Sequence, residues 1–344
     1  CTAALLLLAL SVVHRLVLFY LIWAAIGVVM AAVFYPPAFA AIATWFIRYR
    51  SRALTIITFI GGFASVVYIP LISWLIRTQG WRAAFVTLAV ILAIATIPLH
   101  ALILRRRPQD LGLLPDGERI AGSTQQAVGT PQSSVLGPQP LEKSVRARDA
   151  IRSASFRWMT VAFCLASLTK VAVIVHLIPY LTDHGFSAGF AATAAGMVGT
   201  MALPGRLIFT PLGGRIPRRY VTAAIFLCQA VALIVLVSIP STPGVVVFVI
   251  LFGIGFGAII PAQGALVAEM YGAKQYGSIS GVLAFFVTGA SALAPVGAGI
   301  LYTFFGRYEP VFWILIVISL LGMGAILCIE RDLPEPVGAD RAVA

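Results

Sequence analysis

The stretch Met201–Arg219, MALPGRLIFTPLGGRIPRR, decides how the whole chain is read. It sets one arginine, Arg206, inside an otherwise uncharged run of membrane length and closes on three more, Arg215, Arg218 and Arg219. A helix rises ~1.5 Å per residue, which puts Arg206 roughly 14 Å above Arg215. The hydrocarbon core of a bilayer is about 30 Å thick. With Arg215 at one membrane face, Arg206 lies near the midplane. A charge there costs between ~3 and more than ~10 kcal/mol and marks a candidate functional site.

The neighbours of Arg206 predict its direction. Ala192, Ala195, Gly199, Ala202, Arg206 and Thr210 recur at helical spacing and share one small-sided face, suited to close packing in a bundle. Met197, Met201, Leu203 and Leu207 lie opposite. Arg206 is therefore expected to face the interior. A carboxylate or phosphate suits a buried guanidinium, through two parallel hydrogen bonds. A backbone carbonyl or helix end is the alternative partner.

Composition sets the class. The chain is 60% apolar and 10% charged over 344 residues, against about 25% charged in a soluble domain. This is an all-α polytopic membrane protein. The net charge of +12 does not call for nucleic acid, because the arginines sit at the ends of apolar runs, where topology explains them. Cys1, Cys164, Cys228 and Cys328 are far apart, and no metal-ligand spacing occurs. No disulfide, metal or cofactor is expected.

The apolar runs are Cys1–Val13, too short to cross, then Leu16–Phe46, Ala53–Ile76, Ala83–Leu104, Phe156–Leu181, Phe186–Leu212, Val221–Ile239, Val245–Met270, Ile279–Phe305 and Val311–Ile329. That predicts nine complete spans and one partial. Alternate loops divide the basic residues unequally. One side holds Arg48, Arg50 and Arg52, nine basic residues between Arg105 and Arg157, the Arg215 cluster, Lys274, Arg331 and Arg341. The other holds only Arg15, Arg77, Arg82 and Arg307. The basic side is cytoplasmic by the positive-inside rule, and with it the long loop and the C-terminus. A bacterial inner membrane is the expected location.

The polar segment between the halves is rich in Gly, Ser, Gln and Pro over Ala121–Pro140 and reads as a linker. The halves repeat each other. Pro37 matches Pro261, Pro70 matches Pro295, Gly80 matches Gly306 and Phe85 matches Phe312, at offsets of 224 to 227. Equal orientation makes this a parallel repeat of two pseudo-symmetric helical bundles. The expected organisation is an N-terminal bundle over 1–104, a cytoplasmic linker over 105–154, a C-terminal six-helix bundle over 155–330 and a tail over 331–344. The repeat places the twin of Phe156 about 70 residues before Cys1, so two spans and part of a third are expected to be missing, and the intact protein to have about twelve.

Thr210–Arg219, TPLGGRIPRR, resembles the cytoplasmic-loop motif of the major facilitator superfamily, GxLxDRxGRR. Leu212, Arg215, Arg218 and Arg219 match; Thr210, Gly214 and Pro217 depart, and the missing acid at 214 removes part of the family's gating ion network. Glu269 matches an acidic residue that pairs with this loop in the family. Three further segments resemble the monocarboxylate and oxalate–formate branch. These are His176–Tyr180 with Asp183 and Gly185, Trp45–Arg52 leading to Gly80-Trp-Arg82, and RRRPQDLGLLPDG at Arg105–Gly117. The resemblance implies the major facilitator fold, and a carboxylate-binding role for Arg206.

Other polar residues within the spans are weighed in the same way. Lys170 lies midway between Arg157 and Asp183, a second anion contact or proton-linked site, or a lysine that snorkels. His176 follows it by roughly 240° of helical rotation, so the two face different ways. His176 is either a titrating group or a structurally bonded one. Tyr180, Gln229 and Gln263 can hydrogen-bond a solute or serve packing. Gly253-Ile-Gly-Phe-Gly257 reads as helix packing, not phosphate binding. No visible span carries a mid-membrane carboxylate. Coupling then uses protons handled elsewhere, a proton carried by the substrate, or a counter-anion.

The resulting expectation is a secondary transporter moving a small organic anion, a carboxylate, by alternating access, with no enzymatic activity. An exporter of an apolar or cationic solute is the first rival. A membrane receptor or assembly subunit that carries nothing is the second.

Overall fold

The computed structural model describes residues 2–102, 105, 108–117, 147–212, 216–272 and 275–329. The described residues are almost entirely helical: α1 (Thr2–Ser11), α2 (Leu16–Val33), α3 (Tyr35–Trp45), α4 (Arg50–Leu102), α5 (Ala147–Arg152), α6 (Ala154–Asp183), α7 (Ala188–Leu212), α8 (Arg218–Ser238), α9 (Thr242–Tyr271), α10 (Tyr276–Phe305) and α11 (Glu309–Leu327). Two short 3₁₀ turns, Pro108–Leu111 and Pro115–Gly117, follow α4. Most of the expected linker, Arg215 and the expected tail lie outside the described residues.

Among the described residues, seven helices are long and apolar enough to cross a membrane. Helix α7 has 25 residues, ample length to cross, though it is not one of those seven. The six expected spans of the second half each correspond to a helix, α6 to α11.

The first half departs from the expected spans in one place. The run Leu16–Phe46 is broken at Phe34, because Pro36 and Pro37 open α3 and bring no N–H to the preceding turn. The runs Ala53–Ile76 and Ala83–Leu104 lie on either side of a kink in α4 at Gly80 (φ 78°, ψ 162°). Its repeat partner Gly306 caps α10 at φ 69°. Both matched positions sit in the left-handed region, which a side chain disfavours.

The chain forms two compact units, Cys1–Ile47 with Phe63–Ala127, and Arg48–Gly62 with Val128–Ala344. Arg48–Gly62, which includes the first turns of α4, groups with the second unit. In the first unit, α1 packs on α2 and α2 on α3. In the second, α7 packs on α9, α8 on α9 and α11, and α6 on α10 and α11. The core of the second unit is built from Val173, Leu177, Tyr180, Phe248, Phe252 and Phe312 with their neighbours.

The α7–α9 contact runs backbone to backbone. A Cβ at Gly205 would strike the Ile254 carbonyl, one at Gly253 the Met201 side chain, and one at Gly257 the Ala202 carbonyl. The inner seam of α7 runs through Ala191, Ala194, Val198, Ala202 and Gly205. The expected face is therefore right at Ala202 and Arg206 but one position off in the first turns, where Ala192 is exposed.

Candidate functional site

Arg206 is 7% exposed in the inner part of α7. Its Nε donates to the Gly257 carbonyl of α9 at 3.3 Å, and its Nη1 donates to the Thr58 carbonyl of α4. Its partners within the protein are therefore neutral backbone oxygens, and no carboxylate among the described residues faces it. Nη2 has no acceptor among the described residues. Gly62 makes the approach of α4 possible, because a Cβ there would collide with Nη1.

The Gly257 carbonyl is open to Arg206 for a local reason. In an α-helix it would accept from the N–H of residue 261, four positions on, and that residue is Pro261. The Leu236 carbonyl, in the last turn of α8, has no intrahelical donor, and the buried Tyr180 hydroxyl donates to it at 3.2 Å.

Lys170 is half-buried on α6 with Nζ 5.7 Å from the centre of the Phe256 ring. That contact is a cation–π interaction within the usual range. His176, as its spacing requires, faces elsewhere. Its Nε2 lies 3.1 Å from the Pro295 carbonyl and its Nδ1 3.2 Å from the Tyr308 hydroxyl. A carbonyl only accepts, so Nε2 donates to Pro295, while Nδ1 and the Tyr308 hydroxyl share the second hydrogen bond. Burial first, then Tyr302 and Asp183, hold the Tyr308 pKa above the usual phenol value. The hydroxyl thus stays protonated and able to donate. His176, Tyr308 and Pro295 tie α6 to α10 and α11.

Tyr180 is buried between His184 and Phe312, with ring centres 4.2 and 4.4 Å away. Gln263 is partly buried on α9. Gln229, on α8, is fully buried with both amide atoms unpartnered among the described residues. The predicted site residues therefore do not form one cluster. Arg206 and Lys170 both meet α9; His176 and Tyr180 belong to the aromatic end of α6.

At the opposite, basic end, Arg218 Nε and Glu269 Oε2 form an ion pair at 2.8 Å. Arg219 donates to the Ile329 carbonyl at 3.2 Å and to the Tyr220 hydroxyl at 2.9 Å. Leu212 ends α7 beside them. A small cleft lined by Phe209, Arg218, Thr222 and Pro261 opens here, and Arg206 does not line it.

In the first unit the two segments of branch resemblance meet. Asp116 of the RRRPQDLGLLPDG segment accepts from the Ile47 N–H at 3.2 Å, and Trp45 Nε1 donates to the Arg105 carbonyl at 3.3 Å. Arg82 of the Gly-Trp-Arg segment donates to the Val13 carbonyl at 3.0 Å and lies 4.2 Å over the Trp81 ring.

Sequence reasoning did not find Thr58, Gly62, Gly257 and Pro261 as partners of Arg206. The proline signal was present, since Pro261 implies an orphan carbonyl at Gly257. Which side chain would reach that carbonyl depends on how α7 and α9 pack.

Apolar helices of membrane length, a parallel repeat and a buried cation define an integral membrane protein of the carrier-like, two-halved class. The chain belongs to the major facilitator superfamily, whose family model matches residues 1–295 and 202–343. It is 24% identical over 304 residues to monocarboxylate transporter 13 of Bos taurus, covering 87% of this chain and 65% of that one. It is 26% identical over 305 residues to the MFS transporter asaE of Aspergillus flavus, covering 86% and 60%. The chain thus spans under two thirds of the length of these curated relatives. Among solved structures, the Escherichia coli fucose:proton symporter superposes with a TM-score of 0.68 at 15% identity, covering 96% of this chain and 81% of that one. A bacterial homologue of the iron transporter ferroportin, in its outward-facing state, gives 0.63 at 14%, covering 94% and 78%. These structures share the fold.

Proposed function

We propose that this protein is a secondary carrier of a small organic anion, a carboxylate, and that Arg206 is the group that meets it. One observation carries the reading: among the described residues the buried guanidinium of Arg206 meets only neutral carbonyl oxygens, and its Nη2 has no acceptor there. A carboxylate supplies the missing charge and accepts from it. Lys170 is the second cation on the same side of the unit, and Gln263 a polar neighbour along α9. The relationship to a monocarboxylate transporter agrees with this class of cargo. Alternating access would expose the anion to one side of the membrane and then the other. The basic loops lie in the cytoplasm, and protons or a counter-anion provide the drive.

The test is counterflow of labelled L-lactate into liposomes carrying the purified protein. The wild type should accumulate label, and Arg206→Gln should lose at least about tenfold, as expected when a charge-assisted bond is removed. Unchanged transport by Arg206→Gln would sink the assignment. A rival reading draws on the two carbonyl bonds: Arg206 is scaffold and the protein exports an apolar or cationic solute. Excess lactate would then fail to compete with an exported dye. A non-transporting receptor or assembly subunit would move neither.

A further inference from the structure

We infer that Pro261 is a positioning residue for Arg206. Residue 261 brings no N–H to the Gly257 carbonyl, and an unmet carbonyl inside a membrane protein is costly. Arg206 Nε fills that place at 3.3 Å. Held there, the guanidinium extends Nη1 to the Thr58 carbonyl of α4, over the gap that Gly62 leaves. The side chain is thus fixed by carbonyls on two helices, and Nη2 has no acceptor among the described residues.

The close packing that permits this is also specific. A Cβ at Gly257 would meet the Ala202 backbone, so α7 and α9 approach closely one turn before Arg206. An N–H at position 261 would close the helical hydrogen bond onto the Gly257 carbonyl. Arg206 would then share its acceptor and lose its fixed orientation. Orientation set before the ligand arrives is what lowers the cost of binding.

The first arm of the test is a stability cycle on the purified protein, read as the thermal unfolding midpoint in detergent. It compares Arg206→Ala in the wild type and in Pro261→Ala, with Arg206→Lys where the alanine variant gives no protein. Arg206→Ala should lower the wild-type midpoint by several degrees, because it leaves the Gly257 carbonyl unmet. The drop should be clearly smaller in Pro261→Ala, where the helix meets that carbonyl itself. In Pro295→Ala, a helical proline that Arg206 does not serve, the drop should equal that of the wild type. The second arm rests on the anion-carrier reading and uses L-lactate counterflow. Pro261→Ala should raise KM about threefold or more with Vmax little changed, the sign of lost preorganisation, and Pro295→Ala should not. Additive midpoints would overturn the inference, as would an unmoved KM in a wild type that carries lactate. A wild type that does not carry lactate would count against the cargo, while the stability cycle would still decide the role of Pro261.

Discussion

Pro37 and Pro261 hold matching places in the two halves, and the chain treats them differently. At Pro36 and Pro37 the helix stops at Val33 and starts again at Tyr35. At Pro261 helix α9 runs on unbroken from Thr242 to Tyr271. The flanking hydropathy does not explain this, because both stretches are strongly apolar. Burial separates them among the described residues: α2 buries none of its side chains, whereas α9 is buried at Gly257 and Pro261. In the second half a neighbouring helix is close enough to donate to the carbonyl that proline orphans. A proline in a membrane helix is tolerated when its surroundings repair the hydrogen-bond ladder, so proline reports the packing around it as much as the helix it occupies.

The largest expected effect tests the packing directly. Gly257→Val drives a branched side chain into the Ala202 backbone, and no rotamer relieves a clash made by Cβ itself. Overpacking costs about 1–3 kcal/mol where side chains can yield and more where backbones must part. Gly257→Val should therefore cut the yield of monodisperse protein in size-exclusion chromatography severely. Gly27→Val in α2 meets open space and should leave the profile unchanged. Equal losses at both positions would remove the contrast between the halves.

Tyr180→Phe should come next. It deletes the hydroxyl that meets the Leu236 carbonyl while keeping the ring between His184 and Phe312. A buried acceptor left unmet costs about 1–3 kcal/mol, visible as a lower thermal midpoint. Tyr20, 64% exposed in the first unit, should tolerate the same change without a shift.

Most of the fold was legible in the sequence for a physical reason. Burying a backbone in lipid forces helices, so apolar runs fixed α6 to α11 to within about three residues. Gly80 and Gly306 were legible as a repeat pair, and their positive φ explains why glycine recurs. The break at Phe34 was less legible, because two prolines in an apolar run are compatible with a kink or a stop. The interior position of Arg206 followed from its small neighbours. Its partners did not, because Thr58 and Gly257 contribute carbonyls, and a carbonyl acceptor leaves no mark in residue identity. The ion pair of Glu269 was legible only through family resemblance, since nothing in its local sequence specifies Arg218.

That ion pair gives the smallest expected effect and the sharpest limit on the comparison. Arg218 and Glu269 are 2.8 Å apart, with side chains 18% and 41% exposed. Water competes for both, and a pair this exposed contributes about 0–1 kcal/mol. Glu269→Gln should therefore lower the thermal midpoint slightly at low salt and not at all in molar salt, where screening acts over about 3 Å. The Arg206 contacts lie in the protein interior and should show no such salt dependence. Were Glu269→Gln to destabilise as much as Tyr180→Phe at every ionic strength, exposure would no longer rank these contacts. The neutral carbonyl bonds of the interior would then lose their claim to dominate the second half.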